Sequence, residues 1–153
     1  EHPDIPIHWT HFGDGVCMNE LKKATSSLPE SMTVTLRGAT PNARLLNEYA
    51  LGAYDIFISM SSSEGIPVSV MEAMAYGIVP LCTDAGGTRE AITPDVGVLL
   101  PLDVEYETFE RGLTHIIKNW KEMSGKAIKR QRAYFSLQSN FAAFYRFVAR
   151  LIH

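Results

Sequence analysis

The chain of 153 residues is 46% hydrophobic and 20% charged, with a formal net charge of −3. Such a length holds one domain whose core needs no covalent staples, and such a composition excludes a disordered tail. The mildly acidic balance excludes the electrostatic footprint of a nucleic-acid binder, so an anionic ligand has to be met by local donors.

The chain opens on "EHPDIPIHWTHFGDG", without methionine, and enters a strand-like run almost at once. It reads as a piece of a longer protein. Strands are predicted at 5–13 ("IPIHWTHFG"), 32–38 ("MTVTLRG"), 55–60 ("DIFISM"), 78–83 ("IVPLCT") and 97–101 ("GVLLP"). Their β-branched and aromatic content, edged by Gly or Pro, supports that assignment. Helix-like segments alternate with them: "CMNELKKATSSL", "NARLLNEYALG", "PVSVMEAMAYG" and "GTREAI". A longer helical tail covers 104–123 and 125–152. The alternation implies β-α-β units with right-handed crossovers. The expected fold is α/β and doubly wound, a mainly parallel sheet of about five strands with helices on both faces, forming a single domain over 1–153.

Cys17 and Cys82 show no paired spacing for zinc or redox chemistry, a usage that suits a reducing cytoplasm. Cys82, in the apolar run "GIVPLCT", reads as a small buried hydrophobe. No run approaches the roughly eighteen apolar residues of a membrane span, and no signal peptide opens the chain. The basic cluster "KAIKRQR" (126–132) reads as a solvated helix face, with a membrane surface or a partner as the alternative. The amphipathic tail "NFAAFYRFVARLI" reads as core or interdomain packing, and Trp9 as core. His8 and His11 stand an odd number of residues apart in a strand and so point to opposite faces, which argues against a shared metal.

In doubly wound sheets ligands bind beyond the carboxyl ends of the strands. Four loops fall there: "GDG" (13–15), "RGATPN" (37–42), "SSSEGIP" (61–67) and "TDAGGT" (83–88). The third leads into a helix expected from Pro67 to about Tyr76, with proline at the first helical position. At about 100° per residue, Pro67, Val70, Met71, Met74 and Ala75 share one arc, and Ser69, Glu72 and Tyr76 the opposite one. Glu72 is thereby accounted for as part of a polar stripe. A functional role starts instead from the helix N-terminus, whose free N–H groups and dipole stabilise an anion. Glu72 lies roughly 7–8 Å further along the axis, able to accept hydroxyls, and Glu64 stands on the preceding loop. Two carboxylates bracketing an anion site suit a nucleotide sugar. A glycosidase pair of acids is less well supported, because nothing else suggests a sugar cleft rich in tryptophan. "TDAGGT" has neither the P-loop lysine nor dinucleotide spacing.

The string "EGIPVSVMEAMAYGIVPLCTDAGGTREAI" resembles the donor-binding signature of the family 4 glycosyltransferases, retaining enzymes of the GT-B fold. That pattern is Glu, seven residues, Glu, then a small-residue helix, and later Gly-Gly before an acidic residue. Glu64, Gly65, Pro67, Glu72, Ala73, Met74, Ala75, Gly77, Pro80, Gly86, Gly87 and Glu90 occupy those places. A weaker likeness runs from about residue 7 to 150. The resemblance implies that Glu64 lies beside the transferred sugar and is the catalytic carboxylate, and that Glu72 holds the ribose hydroxyls. Gly65, Ile66, Pro67 and Val68 would run beside the sugar and diphosphate, and Arg37, Gly38 and Ala39 would border the base. It further implies a nucleotide-sugar substrate, no required metal or other cofactor, and work in polysaccharide or lipopolysaccharide assembly. The implied location is cytoplasmic, with peripheral contact of the full-length enzyme at the inner face of the membrane.

Two parts of the family's pattern are missing from this sequence: the "GR…KG" strand and helix whose Arg and Lys clamp the phosphates, and the N-terminal acceptor-binding domain. The expectation is that the isolated piece does not turn over. A non-catalytic doubly wound domain that binds a phosphate-containing effector or a protein partner is the alternative, and a sugar-nucleotide epimerase a more distant one.

Overall fold

The computed structural model describes residues 5–152, which fall into two compact units, one running to Asn47 and one from Glu48. The first unit holds β1 (Ile7–His11), α1 (Met18–Ala24) and β2 (Met32–Leu36); α2 (Asn42–Ala50) straddles the boundary. β1 and β2 pair in parallel from Ile7↔Met32 to His11↔Leu36. His8 is engaged across this ladder: its Nδ1 lies 2.6 Å from Thr33 Oγ1, and Thr35 Oγ1 lies 3.4 Å from Nε2. Trp9 is half-buried, with an edge contact to the His11 ring.

The second unit contains β3 (Ile56–Ser59), α3 (Val68–Ala75), β4 (Val79–Thr83), α4 (Thr88–Ala91), β5 (Val98–Leu100), α5 (Tyr106–Arg130) and α6 (Leu137–Ile152). Its sheet has the order β3-β4-β5, all parallel. All five expected strands therefore form and every pairing is parallel, the ladders falling into a two-stranded and a three-stranded sheet. β4 is central, and each of its five residues is buried, the near-continuous apolar run that a strand covered on both faces requires. Side chains alternate along it. Cys82 packs with Val70 and Met74 of α3, Ala91 of α4 and Ala127 of α5. Val79 and Leu81 face the other way, onto Ile116 and Met123 of α5 and Leu100 of β5. Helices thus cover both faces of this sheet, and burial of one such leucine contributes about 1.5–3 kcal/mol. A proline in a central strand is unusual. Here the β4–β5 register begins one residue later, at Leu81↔Val98, and Gly97 leaves room, since a Cβ there would come within 2.6 Å of Pro80 Cγ.

The tail departs from expectation in three ways. α5 runs unbroken through Gly125, because Met123 and Ala127 on either side are buried against the unit's core. That packing outweighs the ~1 kcal/mol helical penalty of glycine. The break comes instead at Ser136, after a π turn over Gln131–Phe135. Ser136 is extended, and its Oγ accepts the Ser139 N–H at 3.2 Å, an N-cap that starts α6. Second, the basic cluster is only partly a solvated face. Arg130 donates to the carbonyls of Ala91 and Glu90, both at 2.8 Å, and its guanidinium lies over the rings of Tyr134 and Phe135. Third, of the two expectations for the amphipathic tail, core packing does not hold, because Phe141, Phe144, Tyr145 and Phe147 of α6 are exposed; interdomain packing is the reading left for them.

Burial pushes the Cys82 thiol up to about 12 from an ordinary 9.0, and the Tyr49 phenol up to about 12 from 10.0. Unfolded, these groups release their protons first, so the folded state holds more protons between about pH 9 and 12. Stability present at neutral pH is therefore expected to fall as pH rises through that window. Cys82→Ala should flatten the fall, as measured by Tm against pH. At about pH 8 the exposed Cys17 should react with a thiol reagent in the native protein, and Cys82 only after unfolding.

Candidate functional site

The carboxyl ends of β3 and β4 deliver two loops that brace each other. Thr83, buried at the end of β4, donates its hydroxyl to the Ser61 carbonyl in the loop after β3. Further along, the Gly87 N–H donates to the Gly65 carbonyl at 3.0 Å. Between these ties stands Gly86, at φ +52°, where a Cβ would overlap the Glu64 carbonyl oxygen. A Cβ on Gly87 would come within 2.8 Å of the Gly65 carbonyl oxygen. The paired glycines of "TDAGGT" thus allow backbone to lie directly on backbone. Sequence reasoning marked this loop as a strand-end turn and looked in it for a phosphate cradle. Its glycines face the neighbouring loop, and the available signal was their adjacency just past a buried strand.

Glu64, so held, is half-buried and lines a small crevice with Ser59, Ser61, Pro67, Cys82, Thr83 and Thr88. Its charge reaches the crevice floor, adding to the burial that raises the Cys82 thiol. Gly65 and Ile66 are exposed, and Pro67 is buried. Pro67 is the N-cap of α3, one residue ahead of its expected place, with φ −70° and ψ 112°. Its fixed φ suits either position, but it has no side chain able to cap. The N-terminus of α3 accordingly has no side-chain cap and no acidic residue in its first turn, and Val68 and Ser69 there are exposed.

The expected apolar arc of α3 holds: Pro67, Val70 and Met74 are buried, with Met71 and Ala75 half-buried. On the other arc Ser69 and Tyr76 are exposed, whereas Glu72 is half-buried. Burial first and the Glu72 charge second push the Tyr49 phenol up to about 12. The cation nearest in sequence to these loops, Arg89, is held by Asp84 through two bonds of 2.6 and 3.1 Å. Glu64, Gly65, Ile66, Pro67, Val68 and Glu72 all belong to the second unit.

Arg37, Gly38 and Ala39 lie in the first unit, in the loop after β2. The Arg37 N–H donates to the His11 carbonyl and the Gly38 carbonyl accepts from the Gly13 N–H, both at 2.9 Å. The "GDG" and "RGATPN" loops are joined there. Arg37 and Ala39 are exposed and Gly38 is half-buried.

Parallel strands with helices on both faces of the β3-β4-β5 sheet, and strand-end loops beside a helix N-terminus, define a doubly wound α/β sheet. The family described as Glycosyl transferases group 1 matches residues 5–134, and the chain belongs to it. The sulfoquinovosyl transferase SQD2 of Arabidopsis thaliana is 34% identical over 126 residues, covering 78% of this chain and 23% of that protein. A GDP-mannose-dependent alpha-mannosyltransferase of Mycobacterium tuberculosis is 31% identical over 106 residues, covering 69% of this chain and 26% of that protein. The chain therefore spans about a quarter of the length of the curated relatives it matches. Among solved structures, the lipopolysaccharide outer core galactosyltransferase WaaB in its apo form shares the fold, with a TM-score of 0.75 at 20% identity, over 92% of this chain and 40% of that one.

Gly86→Ala is expected to destabilise the protein by about 1–3 kcal/mol, because the positive φ and the Glu64 carbonyl both oppose a side chain. Gly65→Ala, whose Cβ meets nothing within 4 Å, is the control and should change Tm little. Equal loss in the two variants would show that the brace is unimportant.

Proposed function

We propose that this domain is the donor-binding part of a retaining, family 4 type glycosyltransferase, which moves a sugar from a nucleoside-diphosphate sugar to an acceptor in glycan or polysaccharide biosynthesis. The observation that carries it is the uncapped N-terminus of α3 standing between two glutamates, Glu64 on the loop before it and Glu72 within it. Membership in a glycosyltransferase family supplies the chemistry that such a bracket would serve.

In this reading the diphosphate rests on the first N–H groups of α3 with Gly65, Ile66, Pro67 and Val68 alongside, and the helix dipole offsets its charge. Glu64 bonds hydroxyls of the sugar and stabilises positive charge as the anomeric carbon loosens from phosphate. Glu72 accepts the ribose hydroxyls. The acceptor hydroxyl attacks from the face the diphosphate leaves, the bond from anomeric carbon to phosphate oxygen breaks, and the acceptor's proton passes to the departing phosphate. Retention follows from that shared face. The main contribution is electrostatic, fixed donors aimed at charge that develops on the leaving group. No metal is assigned a part. Arg37, Gly38 and Ala39 are assigned the base by resemblance alone. The acceptor site and the phosphate-clamping cations are assigned to segments of the longer protein, so the isolated chain is expected to bind nucleotide weakly and to transfer nothing. Peripheral membrane contact of the full-length enzyme is assigned by resemblance alone; no helix among the described residues is long and apolar enough to cross a membrane.

The test uses the full-length protein, titrated with UDP, GDP and ADP and assayed with the matching sugar nucleotides. Glu64→Gln is expected to lower kcat by about 10²–10³-fold with nucleotide binding largely kept. Glu72→Ala should weaken nucleotide binding by about tenfold or more, the loss of hydrogen bonds to a charged acceptor. Unchanged nucleotide affinity in Glu72→Ala would sink this assignment and favour a non-catalytic binding domain.

A further inference from the structure

Thr83 and Thr88 are the two buried polar side chains among the described residues, at 3% and 1% exposure, and both line the crevice that Glu64 lines. A buried hydroxyl without a partner is unfavourable, and valine would fill either place with nearly the same shape and no such demand. Each hydroxyl goes instead to a loop carbonyl. Thr88 Oγ1 donates to Ala85 at 2.6 Å, within its own turn, whereas Thr83 Oγ1 donates across to Ser61. Ser59↔Cys82 is the last rung between β3 and β4, so backbone pairing has ended where the Thr83 hydroxyl reaches over. Thr83 is itself held in the sheet by its register with Leu100 of β5. From Ser61 the tie continues, since its own Oγ donates to the Ser63 carbonyl at 3.0 Å, next to Glu64.

We propose that Thr83 is a positioning residue for Glu64: its hydroxyl, taking over where the β3–β4 ladder stops, sets the course of the loop after β3 and so the place of the Glu64 carboxylate beside the reacting sugar. The inference rests on Glu64 having the catalytic role proposed above. A group that stabilises charge only as the anomeric carbon loosens must already stand in place, because a misplacement of about 1 Å costs about 10²-fold in rate. Gly65 is held separately by the Gly87 N–H, so the bed for the diphosphate does not depend on this hydroxyl. The tie therefore bears on turnover rather than on nucleotide affinity.

The test compares Thr83 variants of the full-length protein by kcat, nucleoside-diphosphate affinity and Tm. Thr83→Val removes the hydroxyl and keeps the shape; kcat is expected to fall about tenfold, with affinity changed by less than about threefold. Thr83→Ser keeps the hydroxyl and loses a methyl group, so kcat should stay within about threefold of the parent even though Tm falls. A purely structural role would make kcat follow Tm, whereas a positioning role makes it follow the hydroxyl. In a Glu64→Gln background Thr83→Val should lower kcat no further, since the group it positions is already disabled. Should Thr83→Val fail to fold, Thr83→Cys replaces the hydroxyl by a weak donor; the expected loss of kcat is about threefold, again absent in the Glu64→Gln background. Undiminished kcat in Thr83→Val, a Thr83→Ser variant no more active than Thr83→Val, or additive losses in the double variant overturns the positioning role. Glu64→Gln with undiminished kcat overturns the catalytic role of Glu64 itself, and this proposal with it.

Discussion

The second unit is organised by the burial of one strand. β4 is covered on both faces, so neither its register nor its end point can slip without exposing apolar surface or burying a gap. That fixes where Thr83 stands, and Thr83 fixes the carbonyl of Ser61 on the loop beside it. The Gly86–Gly87 turn follows at once and takes up the backbone of Glu64 and Gly65. Core packing is thereby passed, bond by bond, to a loop that has almost no apolar content of its own. A half-buried carboxylate on an unsupported loop would be expected to swing to solvent; here the backbone that carries it is clamped at both ends.

Much of this was legible in the sequence because it rests on periodicity and on local chemistry. The apolar run that carries β4 marks a buried strand, and the spacing of Val70, Met71 and Met74 declares one face of α3. What was not legible depends on contacts distant in sequence. "KAIKRQR" shows five polar or charged residues beside Ile128 and one alanine, and nothing local reveals that Arg130 turns back to carbonyls some forty positions earlier. The break expected between 123 and 125 does not occur, because the buried neighbours Met123 and Ala127 override a weak local preference. The glutamates were found from the strand-end rule and the signature, while the packing of the Tyr49 ring between Tyr54 and Tyr76 was invisible, since its partners lie in two other segments.

The electrostatics of the candidate site follow from what the loops leave out. No lysine or arginine lies between Glu64 and Glu72, and Arg89 is committed to Asp84. In the proposed reading, attraction for the diphosphate would come from the peptide dipoles of α3, which hold no mobile charge and need no reorganisation when a charge arrives. The two carboxylates would then repel an anion that has no hydroxyls to offer them. Such a site would favour ligands that carry phosphate and polyol together over bare phosphate.

The parallel order of the strands also has a kinetic meaning. Neither Ile56↔Val79 nor Leu81↔Val98 can be closed by a tight turn, and each pairing waits for an intervening helix to form and dock. Folding of the second unit must therefore close large loops before its best-buried strand is rewarded. Until then the run from Val79 to Leu81 is an unpaired apolar edge, and Pro80, which cannot donate to an intermolecular ladder, sits in the middle of it. The residue that looks out of place in the finished sheet is well placed to keep the unfinished one from pairing with its neighbours.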